Sequence, residues 1–134
     1  MTNASGDDPA TGPVAIERSN TILYCQHWQP TVRFYREKLG LPVVYSNDWF
    51  VEFRVTEESF LSVADSARAT VDDVNGQGIT LSWRVADLAV ARSRLVDRGL
   101  QPSEPRKIWN ATAFHLFDPE GHRIELWSDT SEDV

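Results

Sequence analysis

The chain has 134 residues, with 13 basic and 20 acidic side chains that give a net charge of −7. This length suits one compact domain, and the acidity argues against binding to nucleic acid or to an anionic membrane, because both need a basic surface. A single cysteine, Cys25, excludes an internal disulfide and any zinc site built from several cysteines.

Both ends of the chain are polar and acidic. We predict a flexible N-terminal tail over residues 1–17 and an acidic C-terminal tail over residues 129–134. No apolar run approaches the ~18 residues that a membrane span needs, and the N-terminus lacks the basic start and apolar core of a signal peptide. We therefore expect a soluble, cytoplasmic protein whose cysteine stays reduced.

The first half of the domain reads as a strand, a helix and three more strands. Residues 20–25 predict the first strand, and residues 31–39 carry an apolar stripe with helical spacing, formed by Val32, Tyr35 and Leu39. Gly40 suits the left-handed position that follows a helix. The three short strands are predicted over residues 43–46, 49–55 and 60–64.

The second half repeats this order. Residues 79–85 predict a strand, and residues 87–98 predict a helix that Asp87 caps and Gly99 ends. Three more strands are predicted over residues 106–109, 112–117 and 123–127, with a turn at residues 118–121. Residues 65–78 connect the halves, and we interpret their Asn75–Gly78 segment as a flexible linker, because it lacks the spacing of a phosphate-binding loop.

Alternation along the strands separates two faces of each sheet. One face is bulky and aliphatic, as expected beneath helices, and consists of Leu23, Cys25, Leu61, Val63, Ile79, Leu81, Val85, Phe114, Leu116, Ile124 and Leu126. The other face mixes aromatic side chains with isolated polar groups, where a plain solvent-exposed sheet would carry mostly Lys, Glu and Thr. This mixture is typical of a small-molecule cavity, of a face covered by a second subunit, or of both. Its members are Asn20, Ile22, Tyr24, Phe60, Ser62, Ala64, Thr80, Ser82, Arg84, Ala113, His115, Phe117, Arg123, Glu125 and Trp127.

Two segments resemble the vicinal oxygen chelate superfamily, which includes glyoxalase I, extradiol dioxygenases, fosfomycin-resistance enzymes and bleomycin-binding proteins. They are Thr31–Leu41, with Phe-Tyr followed by Leu-Gly-Leu, and Phe114–Leu126, with Asp-Pro-Glu-Gly followed by Ile-Glu-Leu. The resemblance implies an α+β fold in one domain over residues 18–128. Two βαβββ modules, about residues 18–64 and 79–128, would form an open, curled mixed β-sheet barrel with the helices outside, commonly in a homodimer.

The resemblance also implies where a divalent metal would be held. Enzymes of the superfamily use His or Gln, then Glu, His and Glu on the first and last strands of the two modules. The matching positions here are Asn20, Ser62, Thr80 and Glu125, so only Glu125 keeps a strong ligand. Because a catalytic divalent site usually needs three protein ligands, we predict no metal and no other cofactor.

The polar residues of this face leave several roles open. His115 and Glu125 can transfer protons, or they can hydrogen-bond a ligand. Glu125 can also pair with Arg84 or Arg123 as a structural ion pair, and Arg84 can bind an anionic group instead. Trp109 suits stacking at a cavity mouth. His27 and His122 are expected to be exposed, and Cys25 to be a small buried side chain.

The leading hypothesis is a protein that binds a small organic molecule in a metal-free cavity lined by both modules. Its predicted ligand-binding residues are Asn20, Tyr24, Phe60, Ser62, Thr80, Arg84, Trp109, Arg123 and Trp127. The alternatives are a non-standard lyase or isomerase that uses His115 and Glu125, a metal enzyme with an altered ligand set, and an interaction module with a filled barrel. A homodimer is the expected assembly, without nucleic acid or membrane partners.

Overall fold

The computed structural model describes residues 12–129. Most of the predicted N-terminal tail, and all but the first residue of the predicted C-terminal tail, lie outside this range. Within it, no helix has the length and apolar character needed to cross a membrane.

The predicted order of elements is confirmed in both halves. The first half contains β1 (Ser19–Cys25), α1 (Trp28–Arg33), β2 (Val43–Ser46), β3 (Phe50–Arg54) and β4 (Ser59–Asp65). The second half contains β5 (Thr80–Arg84), α2 (Leu88–Asp97), β6 (Arg106–Ile108), β7 (Ala111–Phe117) and β8 (Arg123–Asp129). Asp87 caps α2 as predicted, since its side chain accepts a hydrogen bond from the Val90 amide at 3.0 Å.

Each half builds its own four-stranded sheet, with strand orders β1-β4-β3-β2 and β5-β8-β7-β6. The first and last strands of each half pair in parallel, and the other neighbours are antiparallel. The result is an α+β fold with two mixed sheets that do not close into one barrel.

One face of each sheet lies against the helices and forms the hydrophobic core, and we call it the helix-covered face. Most residues of the bulky rows predicted from alternation are buried there, whereas Ile79 and Val85 are only half-buried. The buried ones are Leu23, Cys25, Leu61, Val63, Leu81, Phe114, Leu116, Ile124 and Leu126. They share a single cluster with Val32 and Tyr35 of the first half and with Leu88 and Leu95 of α2. The two halves are therefore held together by one core, and the opposite face of each sheet, the open face, is left outside it.

The first helix departs from the prediction at its end. After Arg33 the chain widens into a π-helical turn over Phe34–Lys38, in which the Leu39 amide bonds the Phe34 carbonyl at 3.0 Å. Two consecutive aromatic side chains in this turn, Phe34 and Tyr35, are both buried in the core.

A buried carboxylate joins the two halves. Asp118, in the turn between β7 and β8, accepts hydrogen bonds from the Tyr35 hydroxyl at 2.7 Å and from the backbone amides of Glu120, Gly121 and His122 at 2.9 Å each. His122 Nδ1 lies 2.8 Å from the same carboxylate, and the His122 side chain is buried. The expectation that His122 would be exposed is therefore wrong, because the other half of the chain covers the turn that carries it.

Glu120, from the same turn, caps the beginning of α1. Its carboxylate accepts hydrogen bonds from the backbone amides of Gln26 and His27, at 2.9 and 2.8 Å. These amides precede the helix, where the backbone leaves donors free and where negative charge is favoured. The side chain of His27, the residue at the helix N-cap, makes no capping hydrogen bond of its own.

The connector between the halves is also held in place. Gly76 is buried, and its backbone packs against Gly121 and the His122 amide. The interpretation of Asn75–Gly78 as a flexible linker did not include this packing of Gly76, although Gly78 is exposed.

The buried Cys25 and Tyr35 predict how stability depends on pH. Burial raises the pKa of the Cys25 thiol, and burial with the neighbouring Asp118 carboxylate raises the pKa of the Tyr35 hydroxyl. The unfolded chain releases these protons first, near pH values of about 8.5 and about 10, so unfolding becomes easier as pH rises through this window. We expect the unfolding free energy to fall above pH ~8.5 by up to ~1.4 kcal/mol per pH unit for each group.

Chemical denaturation of the wild type and of Cys25→Ala between neutral pH and pH ~10.5 measures this effect, since the variant lacks the thiol that starts to ionise at ~8.5. We expect the decline in Cys25→Ala to begin about one and a half pH units later. Identical profiles for the two proteins would contradict the assignment.

Candidate functional site

Three polar side chains lie side by side on the open face of the second sheet. His115 and Glu125 face each other directly across the antiparallel β7–β8 pair, and Ser82 pairs with Glu125 across the parallel β5–β8 pair. The Ser82 hydroxyl donates to Glu125 Oε1 at 2.8 Å. Among the described residues, Glu125 has no other hydrogen-bond partner, so its second oxygen is free to accept one from a ligand.

The His115 ring is oriented by a residue that lies outside the sheet. Ser103, in the segment between α2 and β6, accepts the His115 backbone amide at 2.9 Å and lies 3.2 Å from Nδ1. Ser103 Oγ also lies 3.5 Å from the Glu104 carbonyl oxygen, to which it can donate, so toward Nδ1 it can act as donor or as acceptor. The other ring nitrogen, Nε2, has no hydrogen-bond partner among the described residues and is the one left for a ligand.

Arginines and aromatic rings flank this polar row. Arg123 donates to the Thr80 hydroxyl at 3.1 Å, and Arg84 forms an exposed ion pair with Asp129 at 3.6 Å. The Arg84 guanidinium lies 5.9 Å from the Trp127 ring centre. Glu125 therefore pairs with neither arginine, and the structural ion pair considered for it is not present.

The open face of the first sheet holds a second polar group. Ser62 donates to Asn20 Oδ1 at 2.9 Å, and Glu52 lies opposite Ser62 on β3. Arg18 forms a 2.8 Å ion pair with Glu52, and its guanidinium covers the Phe60 ring at 3.8 Å. Phe60 and Ser62 are buried beneath these contacts, and Ala64, the next residue of the same row, is buried as well.

Several residues that contact the open faces were not included among the predicted site residues. Glu52 and Arg54 alternate with the buried Val51 and Phe53 on β3, so the alternation applied to the other strands would have placed them on the open face. Ser103 has no such signal, because it lies in an irregular segment and reaches His115 only through the tertiary fold.

The two open faces do not meet within one chain. Across residues 12–129, no hydrogen bond, ion pair or aromatic contact joins the open face of one sheet to that of the other. Asn20, Thr80 and Arg123 are exposed, and Tyr24 is half-buried at the end of β1. Trp109, predicted to stack on a ligand at a cavity mouth, lies in the turn after β6 with 96% of its surface exposed.

The four positions that match the metal ligands of the superfamily fit a divalent ion poorly. Asn20 and Ser62 are hydrogen-bonded to each other, and Thr80 accepts a hydrogen bond from Arg123. Glu125 alone offers a carboxylate. Within the part of the chain that the structure describes, no three His, Cys, Asp or Glu side chains converge. The chemistry of these donors gives no basis for a metal-dependent step.

Solved structures share the fold at low sequence identity. A glyoxalase/bleomycin resistance protein/dioxygenase from Nocardioides is 21% identical with a TM-score of 0.71, over 83% of this chain and 82% of its own. A lactoylglutathione lyase from Agrobacterium tumefaciens is 19% identical with a TM-score of 0.69, over 82% and 91%. TnmS3, an antibiotic binding protein from Streptomyces sp. CB03234, is 18% identical with a TM-score of 0.70, over 84% and 94%.

A family model places this chain more firmly than these distant structures do. No functionally curated protein matches the chain significantly. The model of the Glyoxalase/Bleomycin resistance protein/Dioxygenase superfamily matches residues 18–126, which covers both modules and both segments that carry the resemblance. The chain is a member of the Glyoxalase/Bleomycin resistance protein/Dioxygenase superfamily.

Proposed function

We propose that this protein binds a small organic molecule on the open faces of its sheets without a divalent metal. The observation that carries the proposal is the row formed by His115, Glu125 and Ser82. The row offers the unpartnered Nε2 of His115 and an acceptor at the second oxygen of Glu125, and neighbouring hydroxyl groups hold both side chains. A few fixed polar groups among aromatic rings are the usual composition of a small-molecule site.

The aromatic surroundings of this row favour a flat ligand. Phe117 packs edge-on to the His115 ring with centres 5.6 Å apart, and 55% of its surface is exposed. Trp127 lies two residues from Glu125 on the same face, so a ring can stack there while its polar groups reach the row. TnmS3 binds an antibiotic, which makes aromatic antibiotics the first ligands to test here.

A second copy of the chain is the proposed cover of the open faces. Large apolar side chains are exposed on or beside these faces in the single chain, and such patches mark interaction surfaces. They are Ile22, Tyr45, Ile108, Trp109 and Phe117. A homodimer would bury them, Trp109 included, and would enclose a cavity lined by both modules.

Proton transfer by His115 and Glu125 is the second candidate function. It is favoured by the arrangement of an oriented imidazole opposite a carboxylate with a free oxygen. Such a pair can move a proton between two positions of one substrate, as a lyase or isomerase requires.

The test is a thermal-shift screen of aromatic antibiotics, including bleomycin, tetracycline and doxorubicin, followed by titration of each compound that binds. We expect His115→Ala and Glu125→Gln to weaken binding by at least about tenfold each, since each removes a hydrogen bond to the ligand. Ser93→Ala, on the exposed surface of α2, should leave affinity unchanged.

Mass spectrometry of the incubated ligand separates the two functions. Under the binding proposal the ligand is recovered unchanged, whereas under proton transfer it is converted by the wild type and not by His115→Ala. Sedimentation of the same preparations measures the oligomeric state. A protein that is still monomeric at about 50 μM, a concentration far above the Kd of ordinary physiological complexes, would refute the dimer. Binding that is indifferent to both variants would refute the proposed site.

A further inference from the structure

A pocket on the other side of the second sheet is not part of the proposed site. It has a volume of about 320 Å³ and opens between α2 and the end of the π-helical turn. Its floor is the helix-covered face, with Leu116 of β7 and Ile124 and Leu126 of β8. Because side chains alternate across a strand, these residues point away from His115 and Glu125.

The pocket exists because the chain's own side chains leave the floor partly uncovered. Leu88 and Leu95 are the buried residues of α2, and the residue between them that faces the sheet is Ala91. Its methyl group is too small to fill the space above the floor. Leu39 and Leu41 close the opposite side, so floor and walls are almost entirely apolar.

The rim of the pocket is basic. Lys38, Arg94 and Arg98 surround the opening, and within residues 12–129 no carboxylate lies within 4.0 Å of any of them. Lys38 and Arg98 are held in place by backbone carbonyls, since Lys38 Nζ donates to the Arg98 carbonyl at 2.8 Å and Arg98 donates to the Lys38 carbonyl at 3.1 Å. Three unpaired cations at one opening stand out in a chain with a net charge of −7.

We propose that this pocket binds a small amphipathic anion, with its apolar part over the leucine and isoleucine floor and its carboxylate against Arg94 and the two fixed cations. An apolar floor alone would accept any hydrocarbon, and a basic rim alone would accept any anion. The two together select molecules that carry both. The volume lies at the lower end of the range for ligand pockets, which suits a medium-chain carboxylate.

The probe is octanoate, and its binding to the full chain is measured by an NMR titration that resolves individual backbone amides. We expect saturable shifts in α2 and at residues 38–41, and weaker binding by at least about tenfold for octyltrimethylammonium, which has the same tail and the opposite charge. Arg94→Glu, which reverses one rim charge, and Ala91→Phe, which fills the space, should each weaken octanoate binding by at least about tenfold.

Two control variants make the same kinds of substitution, a charge reversal and an added phenyl ring, at positions outside the pocket. Arg33→Glu reverses an exposed charge on α1, and Ser93→Phe places the same ring on the outer side of α2. Both should leave octanoate affinity within about twofold of the wild type. If Ala91→Phe does not fold, Arg94→Glu still decides the question, because its side chain is exposed.

Three results of the titration would overturn the proposal. They are the absence of saturable octanoate binding, equal binding of the cationic analogue, and shifts confined to the open face around His115. The proposal would also be wrong if octanoate did not bind and Arg94→Glu dissociated a dimer. That outcome would assign the pocket to contact with a second copy of the chain. None of these results bears on the antibiotic screen, which reports on the opposite face of the sheet.

Discussion

Replacement of Asp118 by alanine is expected to lower the free energy of unfolding by at least about 4 kcal/mol. The carboxylate is buried and accepts hydrogen bonds from three backbone amides and from the Tyr35 hydroxyl, with His122 Nδ1 also within 2.8 Å. Alanine would leave these groups buried without an acceptor, and each unsatisfied group costs about 1–3 kcal/mol. Since a domain has only about 5–15 kcal/mol of stability, this loss would remove a large fraction of it.

Urea denaturation followed by tryptophan fluorescence measures this loss, and graded variants locate its origin. Asp118→Asn keeps one oxygen for the backbone amides and should lose less than alanine does, whereas Tyr35→Phe removes a single hydrogen bond and should cost only about 1–2 kcal/mol. Asp72→Ala, at an exposed aspartate of the connector, should stay within about 0.5 kcal/mol of the wild type. A loss below 1 kcal/mol in Asp118→Ala, on the scale of an ordinary surface change, would show that the two halves are held together without this turn.

Strand alternation predicted more of this molecule than any other feature of its sequence. Leu61 and Val63 were assigned to the helix-covered face from period alone, and both are buried there. The same rule placed His115 and Glu125 on the opposite face, where they lie directly across from each other. Alternation works because it depends only on the local geometry of a strand, which the sequence determines over a few residues.

Strand alternation could not predict contacts between residues that are distant in the sequence. His122 was expected to be exposed because it follows a turn, but Tyr35, 83 residues before Asp118, joins the same buried carboxylate. The π-helical turn is a similar case, since it buries both Phe34 and Tyr35 against a core drawn from both halves. Neither feature leaves a periodic signal in the sequence.

The candidate site likewise contains residues that could be predicted from strand alternation and contacts that could not. The residues of the polar row could be predicted because each belongs to a regular strand. The Ser103 contact that orients His115 could not, since it depends on where the irregular segment after α2 lies. Whether the row binds a ligand or transfers a proton depends on a partner molecule, and no pattern within one chain specifies that partner.

Replacement of Gly76 by alanine is expected to cost at least about 3 kcal/mol of unfolding free energy, more than its backbone conformation alone would explain. Gly76 has φ +74°, and a Cβ placed on it would lie 2.5 Å from the His122 amide nitrogen and 2.7 Å from the Gly121 carbonyl oxygen. Both neighbours are backbone atoms of the turn that Asp118 organises. To relieve the clash, the connector would have to move away from that turn.

Gly78 provides the matched control, because it has nearly the same conformation and no steric neighbour. Its φ is +77°, and a Cβ placed there meets nothing within 4 Å. Gly78→Ala should therefore cost only the left-handed penalty of about 1–2 kcal/mol, and both substitutions restrict the unfolded chain equally. The difference between the two variants in urea denaturation isolates the packing of the connector against the Asp118 turn. Equal losses would mean that the connector can shift without disturbing the turn that joins the two halves.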